Sequence, residues 1–326
     1  MHYRKFGPER INVSEVGLGC WQLGGDWTQV SDDQANDILK NALEQGITFF
    51  DTADVYGGGR SETLIGDFLK QHRTEVFVAT KAGRMSMFPD QYSRDGLREC
   101  IEASLRRLQR PALDLLQLHC IPFEVMKQGD VWEWLEAFRE QGLIRQYGAS
   151  VETMEEAEWC LDHVERLASL QIIFNIFRQK PLQSVLDKAA HQQVGILARL
   201  PLASGLLSGK MKRETKFDPT DHRHYNADGA AFNVGETFAG LPFEKGVELA
   251  AALDAYREPT LPMAMWALRW ILDHAAVSVV IPGASRAKQV VSNAMASSLL
   301  PLSDETHRDL RAFYQDQVHE HIRGPY

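Results

Sequence analysis

Short apolar runs alternate with amphipathic stretches along the whole chain. Eight runs, residues 16–19, 47–50, 76–79, 113–118, 147–149, 170–174, 194–198 and 278–281, are too short for buried helices and apolar on both flanks, as strands of a parallel sheet are. Between them the apolar positions change period. Ile38, Leu39, Ala42 and Leu43 share a helical face, as do Leu97, Ile101, Leu105 and Leu108, and then Val131, Trp132, Leu135 and Phe138. Ser31 with Gln34 and Thr153 with Glu156 fit capping boxes, Ser61 and Ser93 fit N-caps, and Gly46 and Gly142 fit helix stops. Ahead of the first run, residues 3–6 and 11–13 flank Gly7-Pro8 and predict a hairpin.

Eight strand–helix units at about 30–40 residue spacing predict a (β/α)8 TIM barrel over residues 1–326, a single domain. A doubly wound sheet would carry Gly-x-Gly-x-x-Gly after its first strand, and Gly17-Leu18-Gly19-Cys20-Trp21-Gln22 fails at the third glycine. Two features exceed the plain repeat. Residues 203–241 predict a long irregular loop after the seventh strand, and residues 304–321 an extra C-terminal helix able to cover part of the barrel top. Pro181 marks the start of the helix between the sixth and seventh strands.

Composition narrows the class. A hydrophobic content of 44% and a charged content of 24% belong to an ordinary globular protein, and a net charge of −9 argues against nucleic-acid binding. Cys20, Cys100, Cys120 and Cys160 form no Cys-x-x-Cys pair, no apolar run approaches the ~18 residues of a membrane span, and the N-terminus lacks an apolar signal core. The expectation is a cytoplasmic protein without membrane contact or bound metal. Monomer and homo-oligomer both remain open.

The active face of such a barrel is the C-terminal end of its strands. Cys20 and Trp21 end the first strand, Asp51 and Tyr56 follow the second, Lys81 the third, His119 the fourth, Ser150 the fifth, Arg199 the seventh, and Gly283, Ser285 and Arg286 the eighth. Taken singly, Lys81 reads as a snorkelling surface lysine and His119 as a satisfied core histidine. Ionisable groups on three adjacent strands are hard to explain as packing. A phenol titrates near 10, and a neighbouring lysine lowers that value; Asp51 would hold the lysine, and His119 would donate or accept a hydrogen bond at the same oxygen as Tyr56, beside a carbonyl oxygen. This site can move a proton but has no electron source, so it implies a cofactor. Pro282-Gly283-Ala284-Ser285-Arg286, leading into a helix, would suit a phosphate. Asp54 reads as a solvated or loop-bracing carboxylate.

The chain resembles the aldo-keto reductase superfamily. The resemblance rests on Gly17-Leu18-Gly19-Cys20-Trp21, Asp51-Thr52-Ala53-Asp54-Val55-Tyr56-Gly57, Thr80-Lys81 and Asp114-Leu115-Leu116-Gln117-Leu118-His119. It continues through residues 142–150, Pro201-Leu202-Ala203-Ser204-Gly205-Leu206-Leu207-Ser208-Gly209-Lys210 and Ile281-Pro282-Gly283. It implies an NADPH-dependent reductase of aldehyde, ketone or sugar carbonyls, with NADPH/NADP+ favoured over NADH. Tyr56 would be the general acid, Lys81 and Asp51 its support, and His119 the residue orienting the carbonyl. Ser150, Gln171 and Arg199 would meet the nicotinamide end. Leu202, Ser204, Gly205, Leu206 and Lys210 would lie near the pyrophosphate, and Gly283, Ser285, Arg286, Gln289 and Asn293 at the adenosine end. Trp21, with Tyr56 and His119, would line the substrate pocket, and Phe88 and Phe123 suggest an apolar wall. The chain departs from the family pattern at Val151 in place of Asn, Arg199 in place of Tyr, Gln289 in place of a basic residue, and Cys120-Ile121-Pro122 after the histidine. A similar branch of the superfamily supports the alternative of an NADPH-binding, redox-sensing regulatory subunit that turns over slowly.

Overall fold

The computed structural model describes residues 1–25 and 29–326. The predicted hairpin forms from β1 (Tyr3–Phe6) and β2 (Ile11–Ser14), paired antiparallel. Eight further strands follow: β3 (Leu18–Gly19), β4 (Phe49–Asp51), β5 (Phe77–Ala82), β6 (Leu113–His119), β7 (Ile144–Ser150), β8 (Ser169–Ile173), β9 (Gly195–Arg199) and β10 (Val277–Val280). Each pairs in parallel with the next. Parallel bridges from Val16 to Val280 and from Gly19 to Gly283 join the last strand to the first, so the sheet closes into the (β/α)8 barrel. Closure depends on missing side chains. A Cβ on Gly19 would stand 2.8 Å from the Ile281 carbonyl oxygen, and one on Gly17 2.9 Å from Val279 Cγ1.

Two apolar layers result. Phe49, Ala79, Leu115, Leu197 and Val279 fill the barrel interior, and Phe6 and Val13 of the hairpin pack against the same cluster. Phe6 meets Phe49 at 5.4 Å and Phe77 at 5.5 Å between ring centroids, so the hairpin plugs the end opposite the strand C-termini. The larger cluster lies between the strands and the surrounding helices. The helices Asp32–Glu44 and Met154–His163 start at the two predicted capping boxes, and Ser93 caps Arg94–Leu108.

Ser61 is not a cap. Tyr56–Gly59 forms a 3-10 turn, Gly59 is the N-cap of the helix Arg60–His72, and Ser61 lies inside its first turn. Its hydroxyl is buried, donating to Cys20 O at 2.9 Å and accepting from Thr52 Oγ1 at 2.8 Å. Long-range partners outcompete the local capping role. Pro181 likewise sits in a 3-10 turn, Lys180–Gln183, ahead of the helix Val185–His191. The long segment after β9 is mostly short turns (Ala203–Ser208, Val234–Glu236, Phe238–Gly240) with one four-residue helix, His222–Tyr225. The C-terminal helix is regular only over Asp304–Phe313. Beyond it Arg323 binds Gly240 O and Asp228, tying the tail to that segment. Among the described residues no helix is long and apolar enough to cross a membrane.

Candidate active site

β4, β5 and β6 end side by side and bring Asp51, Lys81 and His119 together. The 3-10 turn after β4 swings Tyr56 back over them. The turn needs glycine at position 57, where φ is +59° and a Cβ would lie 2.2 Å from Gly24 O. Lys81 is fully buried; its Nζ donates to Asp51 Oδ1 at 2.6 Å, Thr52 O at 2.8 Å and the Tyr56 hydroxyl at 3.1 Å. Gln171 on β8 donates to the other oxygen of Asp51 at 2.7 Å. The His119 ring stands edge-on to Tyr56 at 6.0 Å, and Trp21 stacks on the phenol at 5.7 Å, with planes 16° apart.

Burial works to strip the proton from Lys81, but Asp51 and Tyr56 outweigh it and hold the ammonium above its ordinary value. Burial lowers His119 well below the usual imidazole value, and Arg84, Lys81 and Arg199 lower it further, so the ring is neutral at pH 7. For Tyr56 the balance differs from expectation. Lys81 does pull the phenol down, yet burial, helped by Asp51, is stronger and pushes it up to about 12. The phenol is thus a fully protonated donor at neutral pH, held above its ordinary value rather than below it. Asp54 also differs. It is 1% exposed, and burial, with the Glu62 charge, pushes it up to about 7 against the weaker pulls of Arg107, the Val55 backbone and Lys81.

A cleft of about 280 Å³ opens from this group. Cys20, Trp21, Asp51, Tyr56 and His119 line it, as do Ser150, Gln171, Arg199, Leu202, Ser204, Gly205 and Lys210, and it ends at Gly283, Ser285 and Gln289. Three expected residues stand off its wall: Leu206 and Asn293 are buried, and Arg286 is exposed at the N-cap of the helix Ala287–Met295. Gln289 Oε1 accepts from Ser285 N at 2.9 Å and Arg286 N at 3.0 Å. Phe88 is exposed and off the cleft wall, and Phe123 packs on Trp159 at 6.2 Å.

The geometry agrees with a family-wide comparison. The model of the aldo/keto reductase family matches residues 15–315. The chain belongs to the aldo/keto reductase family. Members of this family are NAD(P)H-dependent oxidoreductases. This aldo/keto reductase is 31% identical over 337 residues to the uncharacterized oxidoreductase YqkF of Bacillus subtilis, covering 99% of this chain and 100% of that protein. Among solved structures it resembles the holo form of the aldo-keto reductase AKR11C1 from Bacillus halodurans (26% identity, TM-score 0.78, 99% and 100% covered). It also resembles the glycerol dehydrogenase AKR11B4 from Gluconobacter oxydans (28% identity, TM-score 0.77, 99% and 97% covered).

Sequence reasoning about the reductase missed a charge cluster beside His119. Arg84, just beyond β5, donates to Glu236 Oε1 at 3.0 Å and Glu152 Oε1 at 2.9 Å. Arg199 lies 3.6 Å from Glu236 and donates to Val151 O at 3.0 Å and, at 3.8 Å, to Cys120 Sγ. Arg84 and Glu152 follow strand ends and were legible by that rule. Glu236 comes from the long segment and carries no local signal. Cys120, Glu152 and Glu236 place donor atoms within 4.8 Å of one another, but two guanidinium groups already occupy the carboxylates, which disfavours a cation. Burial pushes the Cys120 thiol up to about 11, so it is not an activated nucleophile.

Proposed function

We propose that the protein is an NADPH-dependent carbonyl reductase, acting on aldehydes, ketones or sugar carbonyls, with residues 1–326 working as one barrel domain. The observation that carries this reading is the buried Lys81 ammonium held between Asp51 and the Tyr56 hydroxyl, with His119 facing the same phenol.

The cleft walls fit a dinucleotide. Gln22 Oε1 and His119 Nδ1 are buried there without a partner among the described residues, so the wall has hydrogen-bonding capacity to spare. Ser204 and Gly205 adopt positive φ values of 54° and 100°, a turn that brings backbone close to the cleft as phosphate-binding loops do. Ser150 and Gln171 would hold the nicotinamide end, the segment from Leu202 to Lys210 the pyrophosphate, and Ser285 and Gln289 on the wall, with exposed Arg286 beside them, the adenosine end. Gln171 already spends an amide hydrogen on Asp51.

Bound NADPH supplies the hydride. The neutral His119 ring donates a hydrogen bond that orients the substrate carbonyl. Tyr56, protonated at working pH, donates its proton to the carbonyl oxygen as negative charge develops there. The Lys81 ammonium, 3.1 Å away, stabilises the phenolate left behind, and Asp51 and Gln171 hold that ammonium in place. Trp21, stacked on the phenol, walls the carbonyl side from water.

Tyr56→Phe tests the assignment. NADPH affinity should stay within a factor of about two, while kcat for carbonyl reduction falls by about 10²–10⁴. An unchanged reduction rate refutes the acid's role. Wild-type protein that binds NADPH but reduces nothing in a carbonyl panel favours the sensing subunit instead.

A further inference from the structure

The reduction scheme leaves Glu236 without a task, although it lines the same cleft as Tyr56, His119 and Trp21. The turn Val234–Glu236 carries it in from the long segment after β9, and its side chain is 5% exposed. A carboxylate can accept about four hydrogen bonds. Glu236 has one of ordinary length from Arg84 at 3.0 Å, a side-chain hydrogen bond with Glu152, and weaker approaches at 3.5 Å and 3.6 Å from Arg84 and Arg199. Acceptor capacity therefore remains on the cleft wall. Beside it Arg199, also on the wall, keeps a buried Nε–H with no acceptor among the described residues. The formal charges of the cluster cancel, since Arg84 and Arg199 face Glu152 and Glu236, although burial and the Glu236 charge hold the Glu152 carboxyl above its ordinary value. Trp21 lines the same cleft and stacks on Tyr56. The space is small as well, because the nicotinamide must share a cleft of about 280 Å³.

An acceptor next to a donor in a charge-balanced wall matches a hydroxyl group, which gives one hydrogen bond and takes another. We propose that Glu236, together with Arg199, is a specificity-determining residue that selects small uncharged carbonyl compounds with a hydroxyl on the neighbouring carbon, over their deoxy counterparts and over oxo acids. The assignment rests on the carbonyl-reductase reading above. A deoxy substrate leaves the buried pair unanswered, which is the strongest form of rejection open to a binding site. An oxo acid brings a second carboxylate against Glu236, and the like-charge repulsion between them works against it. Glu236 also acts on the chemistry itself. Burial raises the Tyr56 phenol first, Asp51 adds to it, and the Glu236 charge is close enough to add its own push.

The test compares hydroxyacetone with butanone, which have nearly the same shape, and with pyruvate, following NADPH oxidation. Wild type should reduce hydroxyacetone with a kcat/KM at least roughly tenfold above butanone and pyruvate. Glu236→Leu should bring the hydroxyacetone-to-butanone ratio down by about tenfold or more. A ratio measured on one preparation is independent of the folded fraction. Glu236→Gln, which keeps the shape and an acceptor oxygen for Arg84, should raise pyruvate relative to hydroxyacetone and move the basic limb of the pH profile down. A wild type that reduces butanone as well as hydroxyacetone, or a Glu236→Leu variant with an unchanged ratio, overturns this assignment and leaves the reductase reading intact. A wild type that binds NADPH and reduces no carbonyl overturns both.

Discussion

Replacing Asp51 by Asn removes one charge and almost no volume, so it isolates the ion pair beneath Tyr56. The Nζ–Oδ1 distance of 2.6 Å corresponds to about 6 kcal/mol of attraction at an effective dielectric constant of about 20. Desolvation of the two buried groups offsets part of this in the wild type. Removing one partner still leaves Lys81 buried and uncompensated, which costs about 3–5 kcal/mol. For 326 residues the unfolding entropy is roughly 0.7 kcal/mol per kelvin, so the melting temperature should fall by about 4–7 °C. The pH dependence should also change sign. In the wild type burial opposes the Lys81 charge, but Asp51 and Tyr56 prevail and the folded value is raised. That contribution is complete below the ordinary lysine value near 10.4 and is lost only as the pH rises through the folded value. In Asp51→Asn burial prevails and the folded value drops below the ordinary one. The variant then loses stability as the pH falls from about 10, where the wild type gains nothing and loses nothing from this group. Thermal unfolding of both proteins from pH 7 to pH 10 reads this out. A deficit that does not grow toward pH 7, or an unchanged melting temperature, would show that Lys81 does not depend on Asp51 for its charge.

Asp54→Asn should gain on the wild type as the pH rises. The folded Asp54 carboxyl is pushed up to about 7 by burial and by Glu62, so the wild type loses on the order of 4 kcal/mol between about pH 4 and pH 7 that the variant keeps. Parallel melting curves across that window would refute this. Gly57→Ala places a Cβ 2.2 Å from Gly24 O at a φ of +59°, and should cost at least about 1–3 kcal/mol of stability and, by displacing Tyr56, about tenfold or more in kcat. A variant with wild-type kcat would show that the turn does not position the phenol.

Local pattern was enough to read the strands, because a buried parallel strand is an apolar run and a helix an apolar stripe. It was also enough to read Asp51, Lys81 and His119 as neighbours, because a barrel aligns the ends of successive strands and leaves no choice of where they meet. Three things were settled only by tertiary structure. Ser61 has an N-cap's sequence context, yet Cys20 and Thr52, distant in the chain, claim its hydroxyl. The phenol of Tyr56 has the expected lysine beside it, yet its proton is held by burial, which is a property of every neighbour at once and of no single pair. Glu236 sits in a segment with no periodic signal, and only the path of that segment across the barrel mouth sets it against Arg84 and Arg199. Hydrophobic periodicity is written in adjacent residues and is legible from them. Burial and long-range charge pairing depend on which distant residues the closed barrel brings together, and no stretch of adjacent residues records that.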